Sequence, residues 1–212
     1  MNNKTTLAPI PFKTWVTWLG IAFLVIFAGQ FILNDALPYF GMQESVFGRF
    51  WSMKWPLIGH ISGGLIALVL GPFQFWPAFR NKYLHIHRKL GMAYISGILI
   101  AVISSIALSL TTGLAIHWTW SMALIGLATA WFGTTGMAFR FILLRRIQLH
   151  KEWMIRSYVV TFAFVFFRWL TSQAFYHELG TFTETGPTAI WLSWAVPLFI
   201  TEIVLAWNKR GI

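Results

Sequence analysis

Four histidines are spread so that each belongs to a different apolar stretch of the chain: His60, His87, His117 and His150. Two of them sit in similar local settings. Residues 83–94 read YLHIHRKLGMAY and residues 149–158 read LHKEWMIRSY. In each, a histidine is followed by a basic residue, an apolar run and a tyrosine seven or eight positions on. Imidazole is a common ligand of haem iron, and cofactor sites in helical bundles are built from side chains on facing helices. The chemistry this pattern suggests is therefore haem ligation and electron transfer. The other two histidines, His85 and His177, fall in connecting segments and read as surface residues.

Other polar residues lie where the sequence is otherwise apolar. Arg168 stands in FVFFRWLTS, residues 164–172. A charged side chain near mid-membrane costs at least about 2.5–3.5 kcal/mol, so such residues line a site or pair with another group. His150, Ser157, Thr161, Arg168 and Ser172 follow at steps of 7, 4, 7 and 4, which places them on one helical face. His60, Gly63, Gly64, Ala67, Gly71 and Gln74 form a second such face, whose small residues admit another backbone or a flat cofactor. Arg168 is expected to turn into the bundle and meet His60 or Gln74. Glu202 is the only acid inside the apolar zone.

These residues need a membrane scaffold. The chain has 212 residues, of which 57% are hydrophobic and 10% charged, against about 25% charged in ordinary soluble domains. Its mean hydropathy is +0.65. The net charge of +10 is distributed in short clusters between apolar runs, which argues against a nucleic-acid-binding face. The absence of cysteine excludes disulfides, thiolate metal sites and iron–sulfur clusters. No HExxH or GxSxG pattern and no close pair of acids points to a hydrolase.

A membrane helix needs about 20 mainly apolar residues. Segments 14–33, 55–79, 90–112, 118–143, 153–176 and 187–207 meet that requirement, so the expected fold is an all-α bundle of six spans forming one domain over 1–212. The first segment reads as an uncleaved span, because no signal-peptide cleavage site precedes Asn34. Basic residues then collect on one side: Lys4, Lys13, Arg80, Lys82, Arg88, Lys89, Arg140, Arg145, Arg146, Lys151, Arg156, Lys209 and Arg210, against Arg49 and Lys54 on the other. The positive-inside rule makes both termini cytoplasmic. The expected location is a bacterial inner membrane. Trp15, Trp18, Trp51, Trp55, Trp118, Trp120, Trp153 and Trp207 lie near span ends, as interfacial tryptophans do.

With this topology His60 and His117 lie towards the outer side and His87 and His150 towards the inner side. Two haems b, one per leaflet, would use all four as ligands, with Gly63, Gly64, Gln74, Tyr94 and Arg168 around the cofactor. The helix count and the four histidines resemble the six-helix di-haem cytochromes of the transmembrane ascorbate-dependent ferric reductase family. That resemblance implies pairing of helix two with four and three with five, hence His60 with His117 and His87 with His150. The stretches HRKLGMAY and HKEWMIRSY, with GPFQF at 71–75 and Arg168, resemble a bacterial membrane family catalogued as domain of unknown function twenty-three-oh-six. This second resemblance covers roughly residues 57–170 and implies a fold but no activity.

Three functions remain open at this level. The preferred one is membrane electron transfer, as a haem b cytochrome or a quinone-linked redox subunit; any enzyme activity would be that of a membrane oxidoreductase. The second is a small transporter or channel with a path through Arg168, His60 and Gln74. The third is a non-catalytic membrane subunit whose basic clusters hold anionic lipid headgroups. His87 and His150 read equally well as helix-start residues that hydrogen-bond backbone or headgroups.

Overall fold

The computed structural model describes residues 21–22 and 25–208. Among these the chain is helical apart from short connectors, with no strand. Five helical stretches are long and apolar enough to cross a membrane: Glu44–Phe75, Leu84–Ile116, Trp118–Leu143, Ile147–Thr171 and Phe182–Trp207. The expected first span, 14–33, lies outside the described residues at 14–20 and 23–24, as do both termini and with them Lys4, Lys13, Lys209 and Arg210.

Six helices carry the argument: α1 (Lys54–Phe75), α2 (Leu84–Leu108), α3 (Trp118–Leu143), α4 (Ile147–Thr161), α5 (Ala163–Thr171) and α6 (Phe182–Asn208). Neighbours in sequence are neighbours in space. Helix α1 packs along α2, α2 against α3, and α3 along α4, while α6 closes the bundle against α3, α4 and α5. Bulky side chains such as Leu99, Ile103, Phe199, Ile203 and Trp207 point outwards, as lipid-facing residues must.

The α1–α2 contact is set by glycine. A Cβ on Gly63 would sit 2.2 Å from the Gly97 carbonyl oxygen, and one on Gly97 would sit 3.0 Å from the Gly63 carbonyl. Only two bare backbones fit at this crossing, which is how small residues drive helix association in lipid. The glycine face of α1 thus splits by function. Gly63 packs on α2 and is not open to a flat cofactor; Gly71 receives the Tyr158 ring; Gly64 alone faces open space, 4.0 Å from the Trp131 ring.

The expected fifth span is displaced and broken. It begins at Ile147, not 153, and ends at Thr171, not 176. At Phe162 the α-helix is interrupted, with φ −77° and ψ −4°, and α5 starts afresh at Ala163. The Thr161 hydroxyl donates back to the Ser157 carbonyl at 2.9 Å one turn earlier, a bond that bends helices. Charges at Lys151, Glu152 and Arg156 make this stretch look like a connector in sequence. They are accommodated inside the helix because Arg156 Nη2 donates to Glu202 Oε2 of α6 at 2.8 Å and Nε donates to Oε1, while Glu152 lies 4.0 Å from Nη1. The acid left unassigned in the sequence, Glu202, is thereby paired. Trp120, expected in an interfacial belt, is instead buried and donates its indole N–H to the Thr183 carbonyl at 2.9 Å.

Candidate functional site

A chamber of about 390 Å³ lies in the half of the bundle away from the basic clusters. Its wall is mostly apolar and aromatic, with Leu68 from α1, Leu127, Ala128 and Trp131 from α3, Val160 from α4, and Phe164 and Phe167 from α5. His60, Ser105 and Thr161 are polar groups inside it, and Asp35, Arg49 and Arg168 also border it. A few polar groups in a largely apolar concavity of this size is the common form of a small-molecule site.

His60 has a fixed tautomer. Its Nδ1 lies 3.1 Å from the Ala101 carbonyl oxygen, which has no proton to give, so Nδ1–H donates. The neutral ring therefore keeps its Nε2 lone pair as an acceptor. Phe164 and Trp131 hold the ring edge-to-face at centroid distances of 5.8 and 6.5 Å.

Arg168 lies at the rim, not at mid-membrane. It stands three residues from the end of α5, about 4.5 Å along the axis. Its Nε is 3.5 Å from Asp35 Oδ1, and the two side chains are 46% and 31% exposed. It lines the same chamber as His60, but its ionic partner is Asp35 rather than His60 or Gln74. The expected depth was wrong because the helix ends five residues sooner than the apolar run does. Gln74 is far from this rim. It lies fourteen residues along from His60, about 21 Å, with its Oε1 against Gly91 of α2. The single polar path through Arg168, His60 and Gln74 is therefore not formed.

Tyr94 is fully buried in a hydroxyl cluster that joins α2, α3 and α4. Its OH is 2.8 Å from Ser157 Oγ and 3.2 Å from Thr161 Oγ1. Ser157 Oγ is 2.7 Å from Thr135 Oγ1, and Trp131 Nε1 donates to Thr161 Oγ1 at 3.0 Å. The tyrosine OH is thus held within the protein, and a buried polar network of this kind rigidifies the core. Ser157 and Thr161 were visible as a helical face in the sequence; Thr135 and Trp131 carried no signal, because nothing in one sequence says which side of α3 turns to α4.

The histidines divide into two sets. At the basic end, His87 stands in the first turn of α2 and His150 in the first turn of α4. His150 Nδ1–H donates to the Ala138 carbonyl at 2.8 Å, which leaves its Nε2 lone pair available. Among the described residues, buried His87 Nδ1 has no hydrogen-bond partner, and neither has Nε2 of Gln74, a residue only 9% exposed. At the other end His117 is exposed and caps α3. Its Nδ1 accepts from the Thr119 N–H at 3.4 Å and lies 2.8 Å from Thr119 Oγ1. It does not line the chamber with His60, so the structure does not bring the expected outer pair together. His117→Ala should cost about 1 kcal/mol of stability, the usual worth of an N-cap, and leave ligand binding at the chamber unchanged. Thermal unfolding in detergent measures the first and ligand retention the second.

No group of three or more His, Cys, Asp or Glu capable of holding a metal ion occurs among the described residues. A two-histidine haem site is a different arrangement. At the basic end the His150 ring is oriented by a backbone carbonyl, as metal-binding imidazoles commonly are, and His87 has a buried nitrogen without a hydrogen-bond partner among the described residues.

No curated protein and no solved structure matches this chain. The likeness to the ascorbate-dependent ferric reductases finds no support in these comparisons. One family profile does match, over residues 57–205, and its description is Predicted membrane protein (DUF2306).

Proposed function

Since the chain belongs to the DUF2306 family of predicted membrane proteins, we propose that it binds a long-chain amphiphile whose tail lies in the chamber between α1, α3, α4 and α5. The observation that carries this reading is the chamber itself: an apolar, aromatic-walled space with His60 inside and charged groups at its border. Its volume of about 390 Å³ supports it, since close-packed interiors hold few voids larger than a water molecule. His60 as a neutral acceptor favours a ligand with a hydroxyl or amide donor near the chamber wall.

Gly64 provides the test, because a side chain added there projects towards Trp131 and into open space. Native mass spectrometry of the purified wild-type protein should find a retained lipid-sized molecule. Gly64→Leu should lose it without loss of thermal stability. Equal lipid retention by wild type and variant would remove the reading.

A second reading, membrane electron transfer, is favoured by the His87–His150 pair. We propose haem b as its cofactor, with these two residues as axial ligands and a quinone, its tail in the chamber, as redox partner. Haem would supply a one-electron couple; the protein's contribution would be to fix the tautomer of His150 through Ala138 and to shield His87 from water. The purified protein should then show a Soret band that His87→Ala and His150→Ala abolish and that His60→Ala and His117→Ala retain. A colourless wild-type protein would dispose of it.

A further inference from the structure

Beside the chamber lies a second cavity of about 500 Å³, and its chemistry is the opposite. Gln30, Asn34, Thr171, Ser172 and His177 give it a polar lining. The two cavities share a wall made of Phe31, Asp35, Arg168 and Phe182. An apolar chamber and a polar vestibule, divided by one ion pair between two aromatic side chains, have the form of a site for a molecule with a tail and a head.

We propose that the vestibule and chamber together bind a lipid with an anionic phosphate head, and that this head takes Arg168 from Asp35. The proposal rests on the amphiphile reading above and adds the class of the head. Three observations support it. The groups at the border carry two cations, Arg49 and Arg168, against one anion, Asp35, so a negative head improves the balance. Arg168 Nε stands 3.5 Å from Asp35 Oδ1, whereas guanidinium forms its strong contacts in pairs of shorter bonds. Arg168 thus has donors to spare, and a phosphate offers several oxygens in place of one. The pair is also half-exposed, so exchange of partners costs little desolvation.

Asp35 acts in this scheme as a placeholder. It keeps Arg168 at the dividing wall when no lipid is bound, and it competes with the incoming head. Two variants that break the same ion pair therefore have opposite effects. Arg168→Gln removes the cation that the head needs. Asp35→Asn removes the competitor.

The experiment uses the full chain in phosphatidylcholine nanodiscs, with phosphatidic acid or phosphatidylcholine bearing a photoactivatable group near the tail end. Cross-links are mapped by mass spectrometry. Phosphatidic acid should label Phe164, Phe167 and Leu127, and phosphatidylcholine should label them much less. Arg168→Gln should lower the phosphatidic acid signal by about tenfold, the worth of one good charge-assisted contact. Asp35→Asn should raise it. Excess inorganic phosphate should not protect, because it lacks the tail; protection by free phosphate would overturn the lipid assignment. Equal labelling by both lipids, or equal losses in both variants, would overturn the anionic head while leaving an amphiphile in the chamber. No chamber labelling by either lipid would instead remove the amphiphile reading itself.

Discussion

Arg156→Leu is expected to lower stability by about 3–5 kcal/mol, the usual cost of stranding a buried charge. Arg156 lies nine residues into α4, about 13 Å from its start, and is buried. It serves two acids at once, Glu202 through paired hydrogen bonds and Glu152 at 4.0 Å. Glu152 is 4% exposed and accepts from Gln148 Nε2 at 3.2 Å, so loss of the arginine removes a positive charge beside a buried carboxylate. Glu202→Ala should cost less, about 1–2 kcal/mol, because Glu202 is half exposed and water recovers part of the loss. A double variant, Arg156→Leu with Glu202→Leu, should not recover the full stability, since Glu152 remains. Thermal unfolding of the three proteins in the same detergent tests the ranking. Equal midpoints for Arg156→Leu and wild type would show that the pair does not hold α4 to α6.

Gly63→Val should have a comparable effect through sterics alone. Its Cβ would meet the Gly97 oxygen at 2.2 Å and the Ala101 backbone nitrogen at 3.0 Å. Neither atom belongs to a flexible side chain, so α1 and α2 must separate by about an ångström. Overpacking of this kind costs about 1–3 kcal/mol, and more where a whole helix pair has to move. Gly133→Ala is the matched control, because a Cβ there meets nothing within 4 Å; its effect should stay within about 1 kcal/mol. Folded yield and melting midpoint separate the two. Similar behaviour of both variants would mean that the Gly63–Gly97 crossing is not formed.

The sequence made some of this legible, for identifiable physical reasons. Hydrophobic length alone located the stretches around 55–79, 90–112, 118–143 and 187–207, since a bilayer imposes length directly. The repeated histidine–basic pattern put His87 and His150 at corresponding helix starts, and they stand in the first turns of α2 and α4. Arg168 was misplaced because the span was drawn over the apolar run 153–176, whereas the helix begins at Ile147 and ends at Thr171. Glu202, the partner of Arg156, is 46 residues away from it, and no local pattern joins them. The chamber could not be read at all. It depends on which flank of α1 turns Gly64 towards Trp131, and that depends on packing between helices rather than on periodicity within one.

The break at Phe162 also divides the fifth crossing into two bodies with different mechanical duties. Below it, α4 is tied to its surroundings by the hydroxyl cluster and by the Arg156–Glu202 pair, and it behaves as a fixed post. Above it, α5 carries Phe164, Phe167 and Arg168 on a rod only nine residues long. The Phe164, Phe167 and Arg168 wall of the chamber therefore stands on a separate segment from the post, and His150 lies at the far end of that post, in its first turn.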